Sequence, residues 1–380
     1  MNKLMPEANE LLKNGGFAYA FCGGQALDLF LGYESRVHGD IDVCAFWEDR
    51  DRIIRYMQAQ GFEVYEMLGG GRAHHITEGS EPLQARKNIF CCREGCPLVK
   101  TYPPDEDGCC WMEVFHTGQT ELDYIEFLFN DKTREAFEYA RNREITLGLD
   151  RAVLNAGGIP YLAPELCLLY KSTDVEREGY QQDFELAWKT MDPSQRAWLR
   201  NALLRAYPGG HPWTDTARTE QLILHLISEG DLKEVARTWP SGHRPVSEEE
   251  AKGVIAYIRD NYLKNTAGHI GHLVLAVCRR DVPGTFLGWC GLDGRSNPAE
   301  PEIFILLDEA YRNQGYGTQC VKELLRIATE DYAIQSVHGG CAKDNIASGR
   351  AMEKGGMVRY GTEENGDPLF RFTAGDQDRR

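Results

Sequence analysis

Leu4, Ala8, Leu11 and Leu12 recur at helical spacing, so residues 1–14 are predicted to open the chain as a helix. A short apolar run over residues 17–21 then predicts a strand, Gly23-Gly24 a turn, and residues 25–31 a helix. SRVHGDIDVCAF, residues 35–46, reads as a second strand, and EDRDRIIRYMQAQG as a helix stopped by Gly61. FEVYEML, CCWMEVFHTG and TELDYIEFLFN are further predicted strands. Residues 163–207 follow a helical pattern, which Pro208, Gly209, Gly210 and Pro212 break at a predicted domain boundary. A second series follows, with a strand in TEQLILHLIS and helices in EGDLKEVARTWP and SEEEAKGVIAYIRDNYLKN. HLVLAVCRR, TFLGWCGLDG and EIFILLD are strands, and RNQGYGTQCVKELLRIATEDY runs from a loop into a helix. IQSVHGGCA is a strand, NIASGRAMEKGG a short helix, and MVRYGTE and LFRFTA the last strands. Strands and helices thus mix in both halves, which predicts an α+β or α/β class, and no internal repeat relates the halves.

The second strand poses a chemical problem. Asp40 and Asp42 interrupt an apolar run of Ile41, Val43, Cys44, Ala45 and Phe46. A strand turns residues i and i+2 to one face, so the two carboxylates point together and repel. Burying such a pair is costly unless something compensates it. A divalent cation would do so. Mg²⁺ favours one or two carboxylates plus substrate phosphates, and two such ions can clamp an in-line nucleotidyl displacement. Gly23-Gly24, at a helix N-terminus just upstream, offers free N–H groups and close backbone approach to a triphosphate.

The whole stretch reads GG-x-A-L-D-L-x-x-G-x(3)-R-x-H-G-D-I-D-V. It resembles the nucleotidyltransferase superfamily, in particular the aminoglycoside and lincosamide nucleotidyltransferases. The resemblance covers about residues 15 to 213, and Gly23, Gly24, Asp40 and Asp42 match it residue by residue. It implies a mixed sheet over residues 1–145 with a helical tail over 146–213, and an NTP with Mg²⁺ held by Asp40 and Asp42. It also implies a third carboxylate on a later strand, as metal ligand and base toward an acceptor hydroxyl. Asp123 in TELDYIEFLF is the choice for that role, with Glu113 in WMEVF as the alternative. Lys171, in the helical tail, would neutralise phosphate charge or end a helix in solvent. Arg36 and His38 flank the aspartates, either touching phosphate or forming structural ion pairs.

Arg312, Gly315 and Gly317 form R-x-x-G-x-G between a strand and a helix, a second place where N–H groups would converge on a pyrophosphate. The pattern resembles the acetyl-CoA loop of the GNAT acetyltransferase superfamily, over about residues 216 to 374. The resemblance implies a GNAT fold over 214–380, a central mixed sheet flanked by helices, and acetyl-CoA bound by Arg312, Asn313, Gln314, Gly315, Tyr316, Gly317 and Thr318. DNIASGRAMEKGGM matches a later family segment, placing Asn345 and Ser348 near the pantetheine arm. Many members carry a tyrosine, as acid for the leaving thiolate, where this chain has Met352. Ser348 would then supply the proton, and Glu302, at the start of EIFILL, would serve as base for the amine.

Charge and cysteines narrow the picture. A formal net charge of -16 excludes nucleic acid as a routine partner and suits a cationic small molecule bearing amines or hydroxyls, as an aminoglycoside does. No apolar run approaches a membrane span, and the charged opening residues do not resemble a secretory leader, which predicts a cytoplasmic protein. The 12 cysteines are accordingly expected as thiols. Cys91, Cys92, Cys96, Cys109 and Cys110 cluster, but no CxxC pair occurs among them, which favours free thiols over a metal. The sequence therefore predicts a bifunctional transferase. The alternatives are a GNAT enzyme whose N-terminal half only binds ligand, and a non-catalytic acetyl-CoA or NTP sensor.

Overall fold

The computed structural model describes residues 4–77, 80–115, 121–239, 245–282 and 284–375. Residues 116–120 and 240–244, into which three predicted elements run, lie outside that set. The chain divides into two compact units, Met1–Thr190 and Met191–Arg380.

In chain order the first unit carries α1 (Leu4–Leu12), β1 (Tyr19–Phe21), α2 (Gly23–Leu31), β2 (Asp42–Phe46) and α3 (Arg50–Ala59). Next come β3 (Glu63–Gly69), β4 (Arg72–His75), β5 (Ile89–Cys92), β6 (Val99–Thr101) and β7 (Cys109–Val114). Then follow β8 (Tyr124–Lys132), β9 (Ala136–Glu138), β10 (Thr146–Gly148), α4 (Leu149–Ala152), β11 (Val153–Ala156) and β12 (Ile159–Leu162). Helices α5 (Pro164–Lys171) and α6 (Tyr180–Thr190) close the unit. The sheet runs β11-β12-β1-β2-β8-β5-β3-β4-β7-β6, with β9 and β10 attached beside β8. It is mixed: β2–β8 and β1–β12 are parallel and the remaining pairs antiparallel. Apolar alternation explains β8, whose Ile125, Phe127 and Phe129 are buried on one side. The predicted strand TELDYIEFLFN starts only at Tyr124, so Asp123 precedes it.

The second unit opens with α7 (Pro193–Ala206), begun by a capping box between Asp192 and Gln195 with Pro193 in the first turn. The sequence reading placed this stretch in the N-terminal helical tail. Here Ala197 and Leu204 enter the C-terminal core, and Arg200 donates to buried Asp331 at 2.7 Å. The unit continues through β13 (Asp215–Arg218), β14 (Leu222–Leu226), α8 (Leu232–Thr238) and α9 (Glu248–Tyr262). Strands β15 (His272–Arg279), β16 (Phe286–Asp293) and β17 (Glu302–Leu307) lead to α10 (Tyr316–Arg326). Then come β18 (Ser336–Gly340), α11 (Ile346–Gly355), β19 (Val358–Thr362) and β20 (Pro368–Thr373). The sheet order is β13-β14-β15-β16-β17-β18-β20-β19. Strands β15 and β16 are buried on both faces, which is why they read as unbroken apolar runs. One face packs on α10 and α11 through Leu292, Ile303 and Val337, and the other on α8 and α9 through Val274, Ala276 and Trp289.

The parallel pair β17–β18 is the irregular joint of this sheet. Its register holds a single residue pair, Glu302 with His338, beyond which the strands part. Backbone groups of β17 that face away from β16 therefore open into a V-shaped gap.

Candidate functional site

In the first unit a cavity of about 1240 Å³ opens over β2, β8 and the N-terminus of α2. Asp40, Asp42 and Glu126 line it. Asp42 and Glu126 are register partners across the parallel β2–β8 pair, so their side chains share a face. Glu126 is the carboxylate that the sequence reading missed. Asp123 lies outside the cavity lining, and its carbonyl accepts from the Arg93 N–H at 2.9 Å. Glu113 sits on β7, five strands from β2, and accepts from the Tyr102 hydroxyl at 2.9 Å. Parity along β8 could have revealed this. Asp123 shares the odd positions of buried Ile125 and Phe127, whereas Glu126 falls on the opposite, cavity side.

Electrostatics fit this crowding. Burial, reinforced by Asp40, pushes the Asp42 carboxyl up to about 7, with Lys171 and Arg177 opposing. Burial together with Asp42 and Asp40 also raises Glu126 well above the usual carboxylate range, while a hydrogen bond from Asn88 opposes the shift. Carboxylates held together against their own charge are a donor set that suits a divalent cation. Among the described residues no three His, Cys, Asp or Glu side chains form a complete metal cage, the Cys91–Cys110 segment included. An ion here would share its coordination with substrate oxygens, as Mg²⁺ commonly does.

The glycines of α2 make room for the acids. Gly23 has φ +67, and a Cβ there would stand 2.3 Å from Asp42 Oδ2. A Cβ at Gly24 would strike the His38 ring. The backbone bond from Cys22 N–H to the Asp42 carbonyl, 2.9 Å, fixes the turn to the strand. His38 Nε2 lies 2.9 Å from Asp28 Oδ2, and Ser35 also donates to Asp28. Cations ring the cavity: Arg36, Arg86, Lys87, Arg141, Lys171 and Arg177. Buried Asp183 anchors two of them, Arg36 through a forked pair at 3.1 and 2.9 Å and Lys171 at 3.0 Å. Burial pushes Asp183 up, but these partners outweigh it and hold its carboxyl below the usual range. Lys171 is thus a buried, paired residue on the wall rather than a solvated helix end, its ammonium 4.1 Å from the Tyr180 ring centre.

In the second unit the loop after β17 turns through two left-handed residues, Asn313 (φ +60) and Gly315 (φ +86), before α10 starts at Tyr316. Arg312 donates to the Leu307 carbonyl at 3.0 Å and Gln314 to the Ala310 carbonyl at 2.8 Å, so both side chains brace the loop. A Cβ at Gly315 would meet open space. No side chain caps α10, which leaves the N–H groups of its first turn, including Gly317 and Thr318, without intrahelical acceptors. The Tyr316 ring is in the core, so only its backbone faces this opening. Asn345 caps α11 by accepting from the Ser348 N–H at 3.2 Å. Ser348 is half-buried. Met352 belongs to the core, packed toward Gly339, which accounts for an apolar residue at that place. Glu302 is exposed at the closed end of the V-shaped gap.

Comparison with known proteins bears on the second unit. Residues 211–358 match the family model described as the acetyltransferase (GNAT) domain, so this part of the chain carries a GNAT acetyltransferase domain. Among solved structures, a putative ribosomal-protein-serine acetyltransferase from Vibrio cholerae is 19% identical, covering 41% of this chain and 95% of its own, with TM-score 0.34. The ribosomal-protein-S5-alanine acetyltransferase from Vibrio fischeri is 14% identical, covering 42% and 97%, with TM-score 0.37. An acetyltransferase from Agrobacterium tumefaciens is 21% identical, covering 41% and 92%, with TM-score 0.32. No curated protein matches the chain.

Proposed function

We propose that the chain is a two-headed transferase: an acetyl-CoA-dependent N-acetyltransferase in its C-terminal unit and a Mg²⁺-dependent nucleotidyltransferase in its N-terminal unit. The first activity rests on the GNAT domain over residues 211–358 together with the gap between β17 and β18. Acetyl-CoA supplies an activated thioester. The braced loop 312–317 and the first turn of α10 would hold its pyrophosphate through N–H groups. The unpaired edge of β17 would align the pantetheine arm and donate to the acetyl oxygen. Asn345 and Ser348, at the start of α11, would border that arm.

The second activity rests on one observation, the joining of Asp40, Asp42 and Glu126 in a cavity rimmed by cations. Mg²⁺ would supply charge neutralisation there, and Asp40 and Asp42 would hold it. Glu126 would ligate it or draw the proton from an acceptor hydroxyl. Gly23, Gly24, Lys171 and the surrounding arginines would position the phosphates. The acceptor class that suits both heads and the net charge of -16 is a cationic molecule bearing amines and hydroxyls.

The test incubates the protein with acetyl-CoA, and separately with Mg²⁺ and each NTP, over aminoglycosides, polyamines and peptides, and reads products by mass. Acetyl transfer lost in Gly315→Trp and nucleotidyl transfer lost in Asp42→Asn is the expected result. Acetylation alone would reduce the N-terminal unit to a binding module. Ligand binding without any product would make the chain a sensor.

A further inference from the structure

A row of ionisable residues crosses the C-terminal sheet. His272 on β15 is the register partner of Asp293 on β16, Asp293 of Glu302 on β17, Glu302 of His338 on β18, and His338 of Arg371 on β20. Register partners project to one face, here the face opposite the Ile303 and Val337 side that packs on α10 and α11. The row passes through the one residue pair that joins β17 to β18, which is the closed end of the gap.

Two members of the row are already paired. Arg295 neutralises Asp293, with Nε at 2.9 Å from Oδ1. Arg371 is paired with Glu300 at 2.9 Å, and Glu300 also accepts from Ser336 at 2.8 Å. His272 is 6% exposed and stacks edge-on with Tyr257, its Nδ1 without a partner. That leaves Glu302 and His338 side by side. Glu302 makes no ion pair among the described residues and is exposed. His338 is half-buried, with Nδ1 enclosed and lacking a hydrogen-bond partner. His338 shares an enclosed, unpartnered Nδ1 with His272, but of the two only His338 stands at the β17–β18 joint beside Glu302.

We propose that Glu302 and His338 form the acceptor-side pair of the acetyltransferase: Glu302 receives a cationic primary amine, and His338 takes the proton that the amine must lose. This inference rests on the acetyl-transfer reading above. The balance is simple. The ammonium gives one proton to the imidazole of His338. The free amine attacks the acetyl carbonyl, forming the N–C bond as the C–S bond breaks. The second proton leaves the nitrogen for the departing thiolate, giving amide and thiol, and His338 returns the first proton to solvent. The charged groups around His338 are Glu302 on β17, Arg371 on β20 and Glu300 beyond it, and of these only Glu302 is uncommitted.

The test uses the full chain with acetyl-CoA and three separate probes: spermidine, neomycin and an alanine-terminated tripeptide. His338→Ala is expected to lower kcat by about 10²-fold, the low end of what a positioned base contributes. Acetyl-CoA affinity, read by calorimetry, should stay unchanged, and added imidazole should restore several-fold of the lost rate. Glu302→Gln should raise KM for the amine more than it lowers kcat. His338→Gln, which preserves bulk, should be as slow as His338→Ala and should not respond to imidazole. Wild-type rates in His338→Ala would overturn the proposal, as would a loss matched by weaker acetyl-CoA binding and untouched by imidazole. Acetyl-CoA bound but no probe acetylated would overturn the assignment of a cationic amine to Glu302. No acetyl-CoA binding at all would instead overturn the acetyl-transfer reading beneath it.

Discussion

At the scale of single residues, the N-terminal cavity depends on atoms that are missing. Gly23 carries no Cβ, and the space where one would stand belongs to Asp42 Oδ2. Gly23→Ala would place a methyl group 2.3 Å from that oxygen, at a φ of +67 that side chains avoid. Either α2 or Asp42 must shift. A displacement on the order of 1 Å at a reacting centre costs about 10²-fold in rate. The proposed nucleotidyl transfer is expected to fall by at least that much while far-UV circular dichroism is unchanged; wild-type turnover would show that the approach is dispensable. Asp183 acts by charge instead. Its folded carboxyl sits below the ordinary value, so its stabilising effect is complete above that value, near pH 4, and is lost as pH falls through the folded one. Removing one partner of a buried pair costs about 3–5 kcal/mol. Asp183→Asn should therefore unfold at lower temperature at pH 7, and the gap to wild type should narrow toward pH 3. A constant gap across that range would mean that packing rather than charge is lost.

Elements decide what such residues meet. Helices α10 and α11 approach closely because Gly355 leaves space for Val321, where a Cβ would come within 2.2 Å of Cγ1. Gly355→Ala should thus destabilise the C-terminal unit by about 1–3 kcal/mol, the usual cost of overpacking. Gly315 is different, since its surroundings are open and only its φ of +86 demands glycine. Gly315→Ala should cost about 1–2 kcal/mol in loop conformation. It should appear in acetyl-CoA affinity, measured by calorimetry, with little change in melting temperature. Elements also explain what could be read from sequence. The unbroken apolar runs of β15 and β16 and the loop into α10 were legible because each is local. Glu126 was not, although its parity on β8 carried the signal, because the apolar stretch was read as starting before Asp123. The row from His272 to Arg371 was illegible in principle. It joins five strands whose neighbours are set by the register of the sheet and by nothing nearby in the chain. The predicted strand over residues 35–46 begins only at Asp42, so strand parity does not place Asp40, which reaches the same cavity from the bend before β2, and Glu126 comes from a strand some eighty positions later.

At the scale of the whole molecule, charge is the property that neither unit's residues disclose alone. A formal net charge of -16 sets up a field that gathers cations and repels anions, although one head would bind a nucleotide and the other acetyl-CoA. The fold resolves that conflict locally. Six arginine and lysine side chains rim the N-terminal cavity, and at the C-terminal loop the first turn of α10 carries no side-chain cap on its N–H groups. On the proposed reading, anionic ligands would be received by short-range donors, and long-range attraction would be left to the acceptor. Salt separates the two contributions, because at about 0.1 M the screening length is about 10 Å. Raising ionic strength from low salt to 0.5 M should lower kcat/KM for a polyamine acceptor by about tenfold through its association rate, with kcat unchanged. A neutral-bodied amine of similar size should lose far less. Acetyl-CoA affinity should move little over the same range, since its proposed partners are backbone dipoles at contact distance. Equal salt sensitivity for the two acceptors would show that the surface charge serves solubility alone, and the acceptor would then have to be sought among uncharged compounds.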